Sequence, residues 1–401
     1  MTTPTTPITP NTPVKPGKPL RVTFVLPVAG MEGGVRVVAI YAERLRRRGH
    51  HVQVVSVTPP APPLRRRIKS LLLGRGWPAA PSVGPSHLDA VPEIEHRILR
   101  HSGPVTDRDV PDADVVISTW WETAVWANRL SPRKGRPIHL VQDYEVWAGN
   151  GDRVDAALRL PGWKVAVSAW LERLLRDDLG VPTAVLAPNG VETDKFDAPP
   201  RRRRADPAVG LTFSSLHHKG ADVALAAFDI ARRRIPGLKL RVVSNFPPAP
   251  HLPFPEGAEF HRHARDGVLR DIYSSCDAWM FATRREGFGL PVLESMACRT
   301  PVVATPAGAV PEILADGGGV MVPFDDPPAM ADALERLLTG PEPAWRELSD
   351  AARANALRRN WDAATDILEA TLLRAAAEPD PRSAPVAAIT AAAADRRVRP
   401  A

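Results

Sequence analysis

Short apolar runs alternate with longer stretches of helical period along most of the chain. Arg21 to Val28 reads as a buried strand, Ala29-Gly30-Met31-Glu32-Gly33-Gly34 as a turn, and Val35 to Arg48 as a helix ending at Gly49. The next strand falls at Val52 to Val57, so the chain opens as strand, glycine turn, helix, strand, the start of a doubly wound sheet. Further strands are expected at Ala113 to Ser118, Ile138 to Val141, Trp163 to Ser168 and Ala184 to Ala187, with a helix from Ala169 to Leu179. Pro199-Pro200 and Arg201 to Arg204 read as a solvated linker, after which the design restarts. Its strands are Gly210 to Phe213, Lys239 to Asn245, Ala258 to His261, Ala278 to Ala282, Pro301 to Ala304 and Gly319 to Val322. Its helices are Ala221 to Arg234, Val268 to Cys276 and Pro328 to Leu338, and a long helical pattern from Trp345 to Ala377 breaks near Asn360-Trp361. From Pro59 to Pro111 no clean period survives. Met1 to Lys18 and Pro379 to Ala401 have the composition of a disordered arm and tail.

Length and composition narrow the class. With 401 residues the chain can bury two cores. Lys+Arg 52 against Asp+Glu 45 gives a formal net charge of +7, which suits phosphate-bearing ligands, nucleic acid or an anionic membrane without choosing among them. The charge is scattered and no recognition motif appears, so no nucleic-acid partner is expected. Two cysteines, Cys276 and Cys298, make no disulfide framework and no zinc spacing, which favours a reducing compartment. No signal-peptide core or membrane-length apolar run is visible, and a cytoplasmic protein is expected.

Candidate chemistry gathers at the strand ends, where open parallel sheets bind ligands. In Arg285 to Glu312, Gly287 and Gly289 let the backbone turn and Pro291 suits the first turn of a helix. The amides of Gly287, Phe288, Gly289 and Leu290 would then point from a positive helix end toward a phosphate or sugar hydroxyl. Glu286 would stand at the mouth of that cleft and Glu294 one turn deeper; taken singly they also read as a helix cap and a solvated charge. Gly33-Gly34 can bring amides close to an anion, and Lys219, directly before a helix, can hold a diphosphate. Trp120 and Trp121 can stack on a sugar ring with Glu122 on a hydroxyl. Asp143, Tyr144 and Glu145 form a second polar-aromatic cluster at the next strand end, together with Trp147, and both clusters would line one cleft. Both clusters read equally as core aromatics beside surface charges. The basic run Arg65-Arg66-Arg67-Ile68-Lys69, with Leu71 to Leu73 and Trp77, reads as a contact for anionic lipid or as a solvated helix within a loop.

The spacing Glu286-GFGLPVL-Glu294, followed by a PAG turn and Pro311-Glu312, resembles the retaining nucleotide-sugar glycosyltransferases of family 4, whose signature is Glu, seven residues, Glu. Over roughly Arg21 to Ala375 the resemblance implies a GT-B fold: α/β, two facing Rossmann-like doubly wound domains with a C-terminal helix crossing back to the first. The expected division is an arm at 1–18, an acceptor domain at 19–187, a donor domain at 188–358, the returning helix at 359–377 and a tail at 378–401. It implies transfer of a sugar, with retention, from a nucleoside-diphosphate sugar to a glycan, lipid-linked or natural-product acceptor, with no metal or other cofactor. It also implies donor contacts from Gly33, Gly34, Lys219, Glu286, Gly287, Phe288, Gly289, Leu290 and Glu294, with Lys219 and Glu286 catalytic. Peripheral contact with the inner face of an anionic membrane is a further expectation. The Asn189 to Phe196 segment resembles the family's NGVD-like entrance to the second domain, with Glu192 for Asp. Two departures stand out. The Arg that usually precedes the phosphate-binding Lys is replaced by Ser214 or Phe213, leaving His217, His218, Arg284 or Arg285 to supply its charge. A His common near Trp120 is absent. The HHKG and QDYE segments resemble a sub-branch that includes bacterial rhamnosyl- and surface-glycan transferases. The alternative is a non-catalytic nucleotide- or glycan-binding protein on the same fold.

Overall fold

The computed structural model describes residues 18–74, 76, 83–146 and 149–383. The arm at 1–17, Trp77, Trp147 and the chain from 384 onward lie outside the described residues. The chain divides into two α/β units, the fold class expected. The first takes Met1–Val167, Leu171–Ala187 and Thr365–Ala401, and the second Ser168–Trp170 and Pro188–Ala364.

In the first unit the strands are β1 (Arg21–Leu26), β2 (His51–Ser56), β3 (Glu95–Ile98), β4 (Val115–Ser118), β5 (Arg136–Val141), β6 (Trp163–Ala166) and β7 (Ala184–Leu186). They form one parallel sheet in the order β3-β2-β1-β4-β5-β6-β7. The helices are α1 (Gly33–Arg47), α2 (Leu64–Leu72), α3 (Trp121–Arg129), α4 (Gly151–Leu158) and α5 (Ala169–Arg173), the last continued by a wider turn at Leu174–Asp178. Central strand β4 is buried at every position, as a strand covered on both faces must be. Edge strand β3 is exposed or half-buried throughout. That exposure is why no apolar alternation marked it in the stretch from Pro59 to Pro111.

The second unit repeats the plan with β8 (Ala208–Thr212), β9 (Lys239–Ser244), β10 (Glu259–Arg262), β11 (Ala278–Phe281), β12 (Val302–Ala304) and β13 (Gly319–Met321). Its parallel order is β10-β9-β8-β11-β12-β13. Helices α6 (Ala221–Ala231), α7 (Asp266–Ser274), α8 (Leu290–Ala297), α9 (Val310–Leu314), α10 (Pro327–Thr339) and α11 (Glu342–Leu357) complete it. Val209, Leu211, Ala224, Phe228, Met280 and Leu334 are among its fully buried core residues. In each sheet the strand order reverses once, between β1 and β4 and between β8 and β11. The C-terminal ends of those neighbours are where a ligand crevice opens.

The linker arginines are not all solvated charge, as the sequence had suggested. Arg201 donates to the fully buried carboxylate of Asp277 at 2.7 Å and lies over the Trp345 ring, while Arg203 donates to the carbonyls of Leu337 and Gly340. Asp277 also accepts from the amides of Arg204 and Ala208, which anchors the start of β8.

Helix α12 (Trp361–Ala377) is counted with the first unit from Thr365 onward. There Glu369 accepts from Arg48 at 2.5 Å and pairs with His50 at 2.9 Å, and Arg374 stacks over Trp163. Residues 378–383, expected to open the tail, are instead held: Trp163 Nε1 donates to Glu378, and Arg382 donates to the carbonyls of Leu130 and Gly135. Those partners lie more than two hundred residues away in sequence, beyond any local pattern.

Candidate functional site

Adjacent strands β8 and β11 deliver the two loops that hold Lys219 and Glu286. The loop after β8 ends in the one-turn helix His217–Lys219 and then Gly220, which adopts φ +66° and caps α6. A Cβ at Gly220 would stand 1.9 Å from the Ala282 carbonyl oxygen, so only glycine lets this turn lie against the end of β11. Backbone bonds close the junction, with the amides of Arg284 and Arg285 both donating to the His218 carbonyl. As a result Lys219 and Glu286, 67 positions apart, form an ion pair of 2.8 Å. Both side chains remain partly open, 30% and 21% exposed, so the pair can exchange partners for a ligand.

The loop after β11 is shaped by a second close approach. Gly308 of the PAG turn, at φ +60°, would place a Cβ 2.7 Å from the Glu286 carbonyl. Thr305 Oγ1 donates to the Thr283 carbonyl beneath the same loop. Gly289, at φ +102°, then starts α8, with Pro291 in its first turn. Glu286 is therefore not the helix cap, since Gly289 holds that position, and its carboxylate faces Lys219. Glu294 is not a solvated charge either. It is 5% exposed and accepts from the Tyr273 hydroxyl at 2.9 Å, which fixes its direction inside the unit.

A strap that the sequence left unread braces this turn. Ser168 Oγ and Trp170 Nε1 both donate to the Gly287 carbonyl, at 2.9 and 2.8 Å. The Glu312 carboxylate in turn accepts from the amides of Ala169 and Trp170, each at 3.0 Å. A carboxylate at a helix start complements the orphan amides and the positive dipole end there. Only Glu312 stood in a recognisable motif; the bonds to Ser168 and Trp170 span more than a hundred positions.

The electrostatics narrow which cation can stand for the missing Arg. Arg284 is engaged by Asp222 at 2.8 Å and Asp325 at 2.5 Å, which raise its pKa further and neutralise its charge. An open cleft of about 510 Å³ lies on that side, lined by His217 and Arg284 as well as by Asp222 and Asp325. His217, His218 and Arg285 remain. Burial, then Lys219 and Arg285, push the His218 pKa down, which marks a cationic neighbourhood. Among the described residues no group of three or more His, Cys, Asp or Glu could hold a metal ion. Cys276 and Cys298 are buried free thiols.

In the first unit, Gly33 and Gly34 open α1 at the end of β1, and Gln142 Nε2 from the end of β5 donates to the Gly34 carbonyl at 3.2 Å. The acceptor clusters split. Trp121 is buried under the Arg153 guanidinium, and its amide donates to the buried Glu145 carboxylate at 2.8 Å. Those two residues form a helix start and the buried carboxylate that accepts from it, which leaves them less accessible than the rest of the two clusters. Burial holds the Glu145 carboxyl well above its usual range. Trp120, Asp143 and Tyr144 are half-buried and Glu122 is exposed, with the Tyr144 hydroxyl donating to Asp155.

Residues 31–195 match the family model described as Glycosyltransferase Family 4, and residues 207–340 that described as Glycosyl transferases group 1. A D-inositol 3-phosphate glycosyltransferase of Acidothermus cellulolyticus is 30% identical over 84% of this chain and 84% of its own length. The enzyme of that name from Mycobacterium avium is 34% identical over 47% of this chain, and there the chain spans about half, 49%, of the relative's length. Among solved structures, Anabaena HepE in complex with UDP and glucose is similar at a TM-score of 0.66, with 15% identity over 88% of this chain and 99% of that one. These matches cover both units, and the Glu286 to Glu294 spacing lies on the strand-end turn just described: the chain belongs to glycosyltransferase family 4.

Proposed function

We propose that this protein transfers a sugar from a nucleoside-diphosphate sugar to an acceptor hydroxyl, with retention of anomeric configuration and without a metal. The observation that carries the reading is the Lys219–Glu286 pair set beside the amides that open α8. In the free protein each of the two occupies the other; with donor bound, Lys219 turns to the diphosphate and Glu286 to the sugar hydroxyls. As the glycosidic bond breaks, negative charge grows on the departing diphosphate. A fixed ammonium and oriented amides stabilise it there more than in the ground state. Glu294, held by Tyr273, is assigned to the ribose. The proton of the acceptor hydroxyl passes to the leaving phosphate, so no enzyme nucleophile is required. Acceptors on the first unit, whether a glycan, a lipid-linked sugar or a small natural product, are assigned to Trp120, Glu122, Asp143 and Tyr144 at the ends of β4 and β5. Location in the cytoplasm, at the inner face of a membrane, is part of this proposal.

The relatives direct the first assays: UDP-glucose as donor, because HepE is described with UDP and glucose, and inositol phosphate as an acceptor, because the curated relatives bear that name. Titration calorimetry with UDP, GDP, ADP and dTDP identifies the nucleotide, and product NMR reads the anomeric outcome. Lys219→Ala is expected to lower kcat/KM by roughly a hundredfold or more, the usual size for losing one charge stabiliser. Full turnover in both Lys219→Ala and Glu286→Gln would overturn the assignment. Nucleotide binding without turnover on any donor would select the non-catalytic alternative.

A further inference from the structure

Helix α2 departs from every other long helix described: none of its nine residues is buried. At 3.6 residues per turn, Leu64, Ile68, Leu71 and Leu72 fall on one stripe. Leu64 is 61% and Leu72 81% exposed, and Leu73 extends the apolar surface beyond the helix end. Arg65 and Lys69 border the stripe on one side, Arg67 on the other, and Arg66 sits opposite. No acidic residue occurs anywhere from Arg44 to Leu88, so the segment itself is wholly basic in its charge. A solvated surface helix would carry polar residues on that face, and a core helix would bury it. This one does neither. An apolar stripe flanked by cations is the composition of a helix lying in the plane of an anionic bilayer, leucines among the acyl chains and cations among the headgroups.

We infer that α2 docks this protein on anionic membrane surfaces, inserting Leu64, Ile68, Leu71 and Leu72 while Arg65, Arg66 and Lys69 pair with lipid phosphates. The inference deepens the location given in the proposed function and is independent of the transfer chemistry, because vesicle binding is read without turnover.

The test is co-sedimentation of the full chain with vesicles of phosphatidylcholine alone and of equal parts phosphatidylcholine and phosphatidylglycerol. Binding to the anionic vesicles is expected, weakened by added salt, with little binding to the neutral ones. Ile68→Ser with Leu72→Ser, and separately Arg65→Gln with Lys69→Gln, should each weaken it roughly tenfold or more. Because no residue of α2 is buried, both variants should stay close to the parent's melting temperature and keep its affinity for nucleotide. The inference is overturned by absence of vesicle binding, by equal binding to neutral and anionic vesicles, or by variants that bind as the parent does. It is also overturned if vesicles are ignored while Ile68→Ser with Leu72→Ser converts a dimer to a monomer, which would make the stripe a face for a second copy of the chain.

Discussion

At the residue scale, two glycines decide whether Lys219 and Glu286 meet. Gly220 allows the turn after β8 to touch the Ala282 carbonyl, and Gly308 lets the PAG turn reach the Glu286 carbonyl. A methyl group at position 220 meets an oxygen of the main chain, which cannot swing aside, and φ +66° adds its own strain for any L side chain. Gly220→Ala is expected to cost about 2–3 kcal/mol, from clash and strain together. A thermal melt would register this, and the nucleotide affinity of the folded fraction should fall with it. Lys219→Ala should show the opposite balance. Its ion pair is open to water, so stability should change by less than about 1 kcal/mol while turnover falls. That split between melting and kinetics separates a residue that shapes the site from one that acts in it.

At the scale of elements, the site depends on how short segments are capped and braced. The first turn of α5 hands two amides to Glu312, and the residues around that turn give two donors to the Gly287 carbonyl. Glu312→Gln keeps the size of the side chain but replaces one acceptor oxygen with an NH2 group that faces an amide. The loss of one charge-assisted bond, about 1–2 kcal/mol, should loosen the donor turn. The measurable outcome is a donor KM raised several-fold with kcat changed less. Strand β5 carries a second capping problem in His139, which is 4% exposed with no hydrogen-bond partner at Nδ1. Burial, with Lys164 adding to it, lowers its pKa from 6.5 to about 3. The unfolded chain therefore takes up a proton that the folded chain refuses. Stability from this group is whole above pH 6.5 and lost as pH falls toward 3, at up to about 1.4 kcal/mol per pH unit. Denaturation midpoints measured across that window should drop, and His139→Leu should flatten the drop.

At the scale of the molecule, one plan is used twice: a parallel sheet whose order reverses once, with loops gathered at the strand ends beside the reversal. The plan was legible because strands buried on both faces read as apolar runs, and β1, β4, β5, β8 and β11 all do. Edge strand β3 was not, because exposure removes the pattern. Helix α2 falls where a helix within a loop was one of the two readings, and none of its residues is buried.

What the sequence alone determined was the order of the buried strands, the glycine turns and the Glu286 to Glu294 spacing, since local propensity and periodicity are written residue by residue. Only the tertiary structure decided that Lys219 meets Glu286, that Arg284 pairs with Asp222 and Asp325, and that the buried Glu145 carboxylate accepts from the Trp121 amide. It alone showed Glu312 holding the strap at Gly287 and α2 left uncovered. Each of these depends on which strands are neighbours and which faces are filled, and spacing along the chain carries no record of either.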